Sequence, residues 1–270
     1  MSIPVENHSI PQNILQTVAT RYKTLTRAIN RSLWNSVSDT AHSLYVGSYG
    51  RGTAIDTSDI DILVEVPDNY CVSSPYTTYN PQSRLLQVVR NAILESYPRS
   101  DVKGDGQVVV INFSDGMKFE VLPAFQTYNQ WTQKTFYKYP DTHMGGNWLS
   151  TNPKAEIKAM SEKDKQSNGL LKATCRHMRY VRDNYFSSYH LSGIVIDSFI
   201  YEAMGNWHYL AEGEQKTDNN ETYEEDLLRY WNQVSLNGRI SFNLSAPGSQ
   251  NKVTMQESLE CLGKVLNKMV

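Results

Sequence analysis

Gly47-Ser48 is followed, after ten intervening residues, by Asp59-Ile60-Asp61 inside the apolar run that continues through Ile62, Leu63 and Val64. Small residues let a backbone approach phosphate oxygens closely, and the Ser48 hydroxyl adds a donor. Asp59 and Asp61 stand two apart on an expected strand, so both side chains leave the same face. Paired carboxylates are a site for hard divalent cations. Ile60, Ile62 and Val64 alternate with the acids, which puts the acids opposite a core-facing row. Like charges held this way are costly unless cations neutralise them. Either piece alone is more often a plain turn or a solvated strand edge. A phosphate cradle beside a two-carboxylate metal site implies nucleoside triphosphate chemistry.

A third acid lies in Lys118-Phe119-Glu120-Val121-Leu122, where Phe119 and Val121 face one way and Glu120 the other. If this segment runs beside the Asp59 strand, Glu120 completes a three-carboxylate cluster able to hold two Mg²⁺ (or Mn²⁺) ions about 3.5–4 Å apart. One ion would acidify a sugar hydroxyl and the other would stabilise departing pyrophosphate, with Glu120 able to accept the hydroxyl proton. Taken by itself, Glu120 would read as an ordinary surface strand glutamate.

These residues need a scaffold, and the sequence pattern supplies one. Apolar spacing gives a helix over 11–33, a short strand over 44–46, a strand over 59–66 and a helix over 83–97 ending at Pro98. Residues 67–81 form a Ser/Tyr/Thr/Pro-rich loop, and 107–113 with 117–122 form an antiparallel pair around Ser114-Asp115-Gly116. Residues 127–151 look irregular and aromatic. From Lys154 the pattern is helical: an interrupted helix over 154–185, then helices over 192–211, 224–233 and 255–269, with a polar loop at 213–220 and a turn-rich stretch at 238–251. The order is α+β, a small mixed sheet followed by helices. The expected domains are 1–152 and 153–270, with the N-terminal helix packing across both.

The chain has 270 residues and 40% hydrophobic content, enough for a sizeable core. A formal net charge of −2 gives no global basic field, so direct DNA binding is not expected. No apolar run reaches membrane-spanning length, and residues 1–11 lack a signal-peptide core, so neither a membrane location nor a leader is expected. Cys71, Cys175 and Cys261 match neither a zinc pattern nor a disulfide framework and read as buried apolar residues of a cytoplasmic protein.

The string Gly47-Ser48-Tyr49-Gly50-Arg51-Gly52-Thr53-Ala54-Ile55 … Ser58-Asp59-Ile60-Asp61-Ile62-Leu63-Val64, with the later Glu120 strand and Trp148 … Asn152-Pro153, resembles the bacterial cGAS/DncV-like nucleotidyltransferases (SMODS-type CD-NTases) of the DNA polymerase β-like superfamily. The resemblance covers most of the chain. It implies a polymerase β-like core and a helical nucleotide-binding domain. It also implies condensation of nucleoside triphosphates into a cyclic oligonucleotide messenger in anti-phage signalling. A regulatory protein partner and a downstream effector acting through the product are implied too. The alternatives are a linear 2′-5′ oligonucleotide synthase, nucleotidyl transfer to another acceptor, or an inactive nucleotide-binding scaffold.

Lys172, Arg176 and Arg179 stand at i, i+4 and i+7 and read as one cationic helix face for β- and γ-phosphates, or as a solvated basic face. The resemblance assigns more: Met178-Arg179-Tyr180 and Ser187-Ser188-Tyr189 match a family pair in which a cation and a Ser touch the donor triphosphate and a Tyr stacks on its base. That carries roles to Arg179, Ser188 and Tyr189. Arg179 stands where the family usually has Lys, which leaves Lys172 as the alternative phosphate ligand. His177 and His190 have no metal-ligand spacing and read as structural.

Overall fold

The computed structural model describes residues 3–4, 8–70, 80–131, 133–214, 221–235 and 243–270. The expected loop at 67–81, the polar loop at 213–220 and the turn-rich stretch at 238–251 fall partly outside these, and Cys71 wholly so. Contacts divide the chain into two units. A sheet unit comprises Pro11–Gly50 and Ser58–Asn152, and a helical unit comprises Met1–Ile10, Arg51–Thr57 and Pro153–Val270. The chain passes from one unit to the other after residues 10, 50, 57 and 152. The N-terminal helix, expected to pack across both halves, lies within the sheet unit; the residues before it belong to the helical one.

The sheet unit opens with α1 (Gln12–Trp34), whose Val18, Tyr22, Leu25, Ile29 and Leu33 recur at helical spacing and are buried. Asn35 ends it in the left-handed region, a conformation that Asn tolerates better than most residues. Next come β1 (Ser43–Tyr45), a five-residue helix α2 (Gly47–Arg51), β2 (Ile60–Glu65) and α3 (Pro81–Ser96). Strands β3 (Asp101–Asp105), β4 (Val108–Asn112), β5 (Lys118–Asn129), β6 (Lys134–Asp141) and β7 (Asn147–Thr151) follow. The sheet runs β1-β2-β5-β4-β3, with β6 on the far end of β5 and β7 beside β6. β2 and β5 are parallel, and the other pairs are antiparallel. Ile60, Ile62 and Val64 of β2, with Phe119 and Val121 of β5, pack in one core with α1 and α3. Leu63 and Ala124 sit in a smaller cluster with Val46 and Tyr137.

Three strands differ from the sequence pattern. Residues 127–151, expected to be irregular, supply the end of β5 and all of β6 and β7. Among the described residues there only Tyr137 and Pro140 are buried and the rest are partly covered or exposed, so alternation is weak. β3 is an exposed edge strand with one buried residue, Val102, and has no apolar run to announce it.

In the helical unit, α4 (Pro153–Gln166) and α5 (Leu170–Tyr185) are separated by Asn168 and Gly169, both at positive φ, which is the expected interruption. α6 (Gly193–Ala203) stops eight residues short of expectation, and α7 (Tyr223–Val234) starts on a Thr222–Glu225 capping box. α8 (Leu259–Met269) follows a 3₁₀ turn at Gln256–Ser258. Its core gathers Leu171, Met178, Ile196, Phe199, Leu227 and Leu262. Cys175 and Cys261 are buried free thiols, and burial pushes both pKa values up.

Candidate active site

Side-chain alternation on β2 and β5 fixes the site. Because Ile60, Ile62, Phe119 and Val121 face the α1/α3 core, Asp61 and Glu120 leave the opposite side of the sheet. The parallel register sets Asp61 directly beside Glu120. Asp59, just before β2, joins them through Lys118. The Lys118 ammonium lies 3.0 Å from Asp59 Oδ2 and 2.6 Å from Glu120 Oε1. Burial pulls its pKa down, but hydrogen bonds and charge from Glu120 and Asp59 outweigh this and hold it above the ordinary lysine value.

α2 brings Gly47 and Ser48, the pair expected to meet phosphate, to the same place. Val46 N–H donates to the Asp61 carbonyl at 2.9 Å, so the chain enters α2 already tied to β2. Gly47 has φ +55, and a Cβ there would lie 1.9 Å from Asp61 Oδ2. Only glycine lets the backbone come this close to the carboxylate. A cavity of about 210 Å³ is lined by Gly47, Asp61, Gln107, Glu120, Tyr139 and Thr151, among others. A larger, shallower hollow of about 570 Å³ over α7 is lined by that helix alone, by Glu225, Leu228, Arg229, Asn232 and Gln233, and has none of this chemistry.

Within the helical unit the expected residues separate. Lys172 packs against Gly52, where a Cβ would meet its Nζ at 3.3 Å, and pairs with Asp164 at 3.5 Å. Arg176 donates to the Gly52 carbonyl at 3.1 Å. Ser188 is exposed in a turn after α5. Tyr189 is 38% exposed, with the Lys264 ammonium 4.7 Å from its ring centroid and the Phe186 ring against it edge-on. Arg179 requires correction. It is 1% exposed and bonded to Asp197 at 2.6 and 2.9 Å, so it faces the core rather than a phosphate. Of the expected cationic stripe, Lys172 and Arg176 remain on the Gly52 side. His177 is buried against His8, as a structural histidine should be.

Sequence reasoning missed Lys118, although its i, i+2 relation to Glu120 was a readable signal. It also missed Asp197, whose partners are distant in sequence.

A family model for the Second Messenger Oligonucleotide or Dinucleotide Synthetase domain matches residues 5–164, more than half of the chain. The chain belongs to this family. A Bacillus cereus relative described as a probable cyclic nucleotide synthase is 23% identical over 197 residues. That match covers 67% of this chain, which spans only 58% of the relative's length. Among solved structures, the CdnE cyclic dinucleotide synthase of Elizabethkingia meningoseptica, determined with GTP and Apcpp, is similar at TM-score 0.65 and 14% identity, covering 98% of this chain and 94% of that one. The E. coli MS115-1 CdnC:HORMA-deltaN complex matches at TM-score 0.62 and 13% identity, covering 96% of this chain and 84% of that one. These likenesses show the fold. The expected α+β class with a polymerase β-like core holds for this synthetase-family chain. Among the described residues no helix is long and apolar enough to cross a membrane.

Proposed function

We propose that this chain is a metal-dependent nucleotidyltransferase that condenses nucleoside triphosphates into a cyclic oligonucleotide, a di- or trinucleotide, releasing pyrophosphate. It would act in the cytoplasm as a messenger synthase in anti-phage signalling. The supporting observation is the Asp61–Glu120 register beside the glycine-only approach of Gly47.

The donor set fits a hard cation, since it is all carboxylate oxygen and two of its members already share one cationic group. As arranged, no three His, Cys, Asp or Glu among the described residues are grouped to hold a metal ion, with the Lys118 ammonium bridging Asp59 and Glu120. Asp59, Asp61 and Glu120 would hold Mg²⁺ or Mn²⁺, two ions in this reading, which when bound lower the pKa of a ribose hydroxyl and offset charge on leaving pyrophosphate. The chain's own groups do the rest. The Gly47-Ser48 turn binds phosphate oxygens, Lys172 and Ser188 contact the donor triphosphate, and Tyr189 stacks on its base. The hydroxyl oxygen bonds to the α-phosphorus, the bond to the β-phosphate oxygen breaks, and Glu120 takes the hydroxyl proton. Ring closure joins two ends of one bound molecule, so effective concentration favours it over further growth. A protein partner that regulates synthesis is part of the proposal, in line with the similar structure of a CdnC:HORMA-deltaN complex.

The test is incubation with each nucleoside triphosphate and Mg²⁺ or Mn²⁺, then phosphatase and mass spectrometry. A cyclic product survives phosphatase unchanged. Products that all lose terminal phosphate mark a linear 2′-5′ synthase or transfer to another acceptor. Absence of pyrophosphate release marks a nucleotide-binding scaffold.

A further inference from the structure

Arg51 closes α2, the helix that starts with Gly47-Ser48, yet its guanidinium is buried. Its Nε donates to Asp197 Oδ2 at 2.7 Å, and its Nη1 to Glu156 Oε2 at 3.2 Å. The hydroxyl of Thr53, fully buried two residues on, donates to the same Asp197 oxygen at 3.0 Å. Arg179 adds its two bonds from α5. One inaccessible carboxylate on α6 thus receives two donors from the segment after Gly47-Ser48 and two from α5. Further along the same segment, Thr57 donates to Asp183 at 2.7 Å, and the Gly52 carbonyl accepts from Arg176.

Two guanidiniums face two carboxylates here, so the cluster is charge-balanced. Burial alone would raise the Asp197 pKa. Arg179 and Arg51 overcome it and hold the carboxyl at about 2, so it stays ionised at any working pH. Burial raises the Glu156 pKa despite Arg51. A buried ion cluster is a poor source of net stability compared with apolar packing, and its best-attested use is fixing one geometry. Apolar contacts slide. A carboxylate with four donors cannot move without stranding a charge.

We propose that Asp197 is a positioning residue for the Gly47-Ser48 turn, acting through Arg51: it fixes the C-terminal end of α2, so that Ser48 is held in place before a triphosphate arrives. This rests on the proposed function only for the identity of the ligand. The natural probe is Arg51→Lys, which keeps the charge but loses the guanidinium fork. Thr53→Val, which removes one donor, is the gentler second variant, and Asp197→Asn the severe one. Amide exchange of residues 46–52 is measured together with kcat and KM for nucleoside triphosphate, alone and combined with Ser48→Ala.

In Arg51→Lys, exchange in 46–52 should rise about tenfold or more while the α1/α3 core is unchanged, the order expected for weakening one charge-assisted hydrogen bond. KM should rise about tenfold with kcat within about threefold, and Ser48→Ala should add less than about twofold to that KM, because both lesions act on one contact. Multiplying KM effects, or exchange in 46–52 that does not rise above the rest of the chain, overturns the proposal. If Asp197→Asn does not fold, Arg51→Lys and Thr53→Val decide. If the wild-type protein turns over no nucleoside triphosphate, the functional reading fails, and the exchange measurement alone decides whether Asp197 holds the turn.

Discussion

Gly47→Ala separates backbone strain from damage to the site. Gly47 sits at φ +55, where an L-residue costs about 1–2 kcal/mol. The added Cβ would also stand 1.9 Å from Asp61 Oδ2 and 2.7 Å from its Cγ. Real Cβ contacts under 3.0 Å are essentially unknown, so the carboxylate must retreat by at least 3.0 − 1.9 = 1.1 Å. A misplacement of about 1 Å in catalytic geometry costs on the order of 100-fold in rate. The expected result is stability lowered by about 1–2 kcal/mol and turnover lowered about 100-fold or more. Gly116→Ala is the control. It has φ +86 and nothing within 4 Å of the added carbon, so it should show the strain without the rate loss. Thermal unfolding and nucleoside triphosphate turnover are measured on both. If Gly47→Ala turns over like Gly116→Ala, close approach of backbone to Asp61 is not what builds the site.

Asp59→Asn or Asp61→Asn should leave unfolding unchanged and remove nearly all synthesis, since metal Lewis-acid stabilisation is worth several kcal/mol; a double Asn variant with wild-type turnover sinks the metal reading. Tyr189→Ala should weaken a non-hydrolysable nucleoside triphosphate by about tenfold or more, from a stacking contribution of roughly 1–3 kcal/mol, while Tyr189→Phe keeps most of the affinity. Equal binding by Ala and wild type makes Tyr189 a packing residue. Burial, then the neighbouring His8, depress His177 from 6.5 to about 4, and burial also lowers His8. A depressed histidine contributes stability that is fully present above pH 6.5 and is lost as pH falls through about 4. His177→Gln should therefore flatten the fall in melting temperature across that window, and an unchanged slope contradicts the assignment.

Local periodicity made much of this site readable. Asp59, Asp61 and Glu120 were legible because alternation with Ile60, Ile62, Phe119 and Val121 fixes their face whatever the sheet order. Their adjacency was conditional, because nothing local says that β5 runs parallel to β2. β6 and β7 were illegible because their faces are half covered and carry little apolar contrast. Arg179 misled for another reason. Its helical spacing from Lys172 and Arg176 leaves it within about 20° of the Lys172 direction, so periodicity alone reads it as part of the same stripe although its guanidinium is buried. There Asp197, eighteen positions away, decides its role. Long-range charge pairing leaves no periodic trace.

The chain changes units after residues 10, 50, 57 and 152. That routing limits how the protein can be dissected. A fragment ending at Asn152 contains β1 to β7 and all three acids, yet it leaves the Arg51 guanidinium without Glu156 and Asp197 and Thr53 without its acceptor. The complementary fragment keeps Asp197 with Arg179 as its remaining donor in the cluster. Cutting between β7 and α4 therefore yields two incomplete pieces, and sequence exchange between relatives at this point would succeed only if residues 51–57 travelled with the helices that receive them.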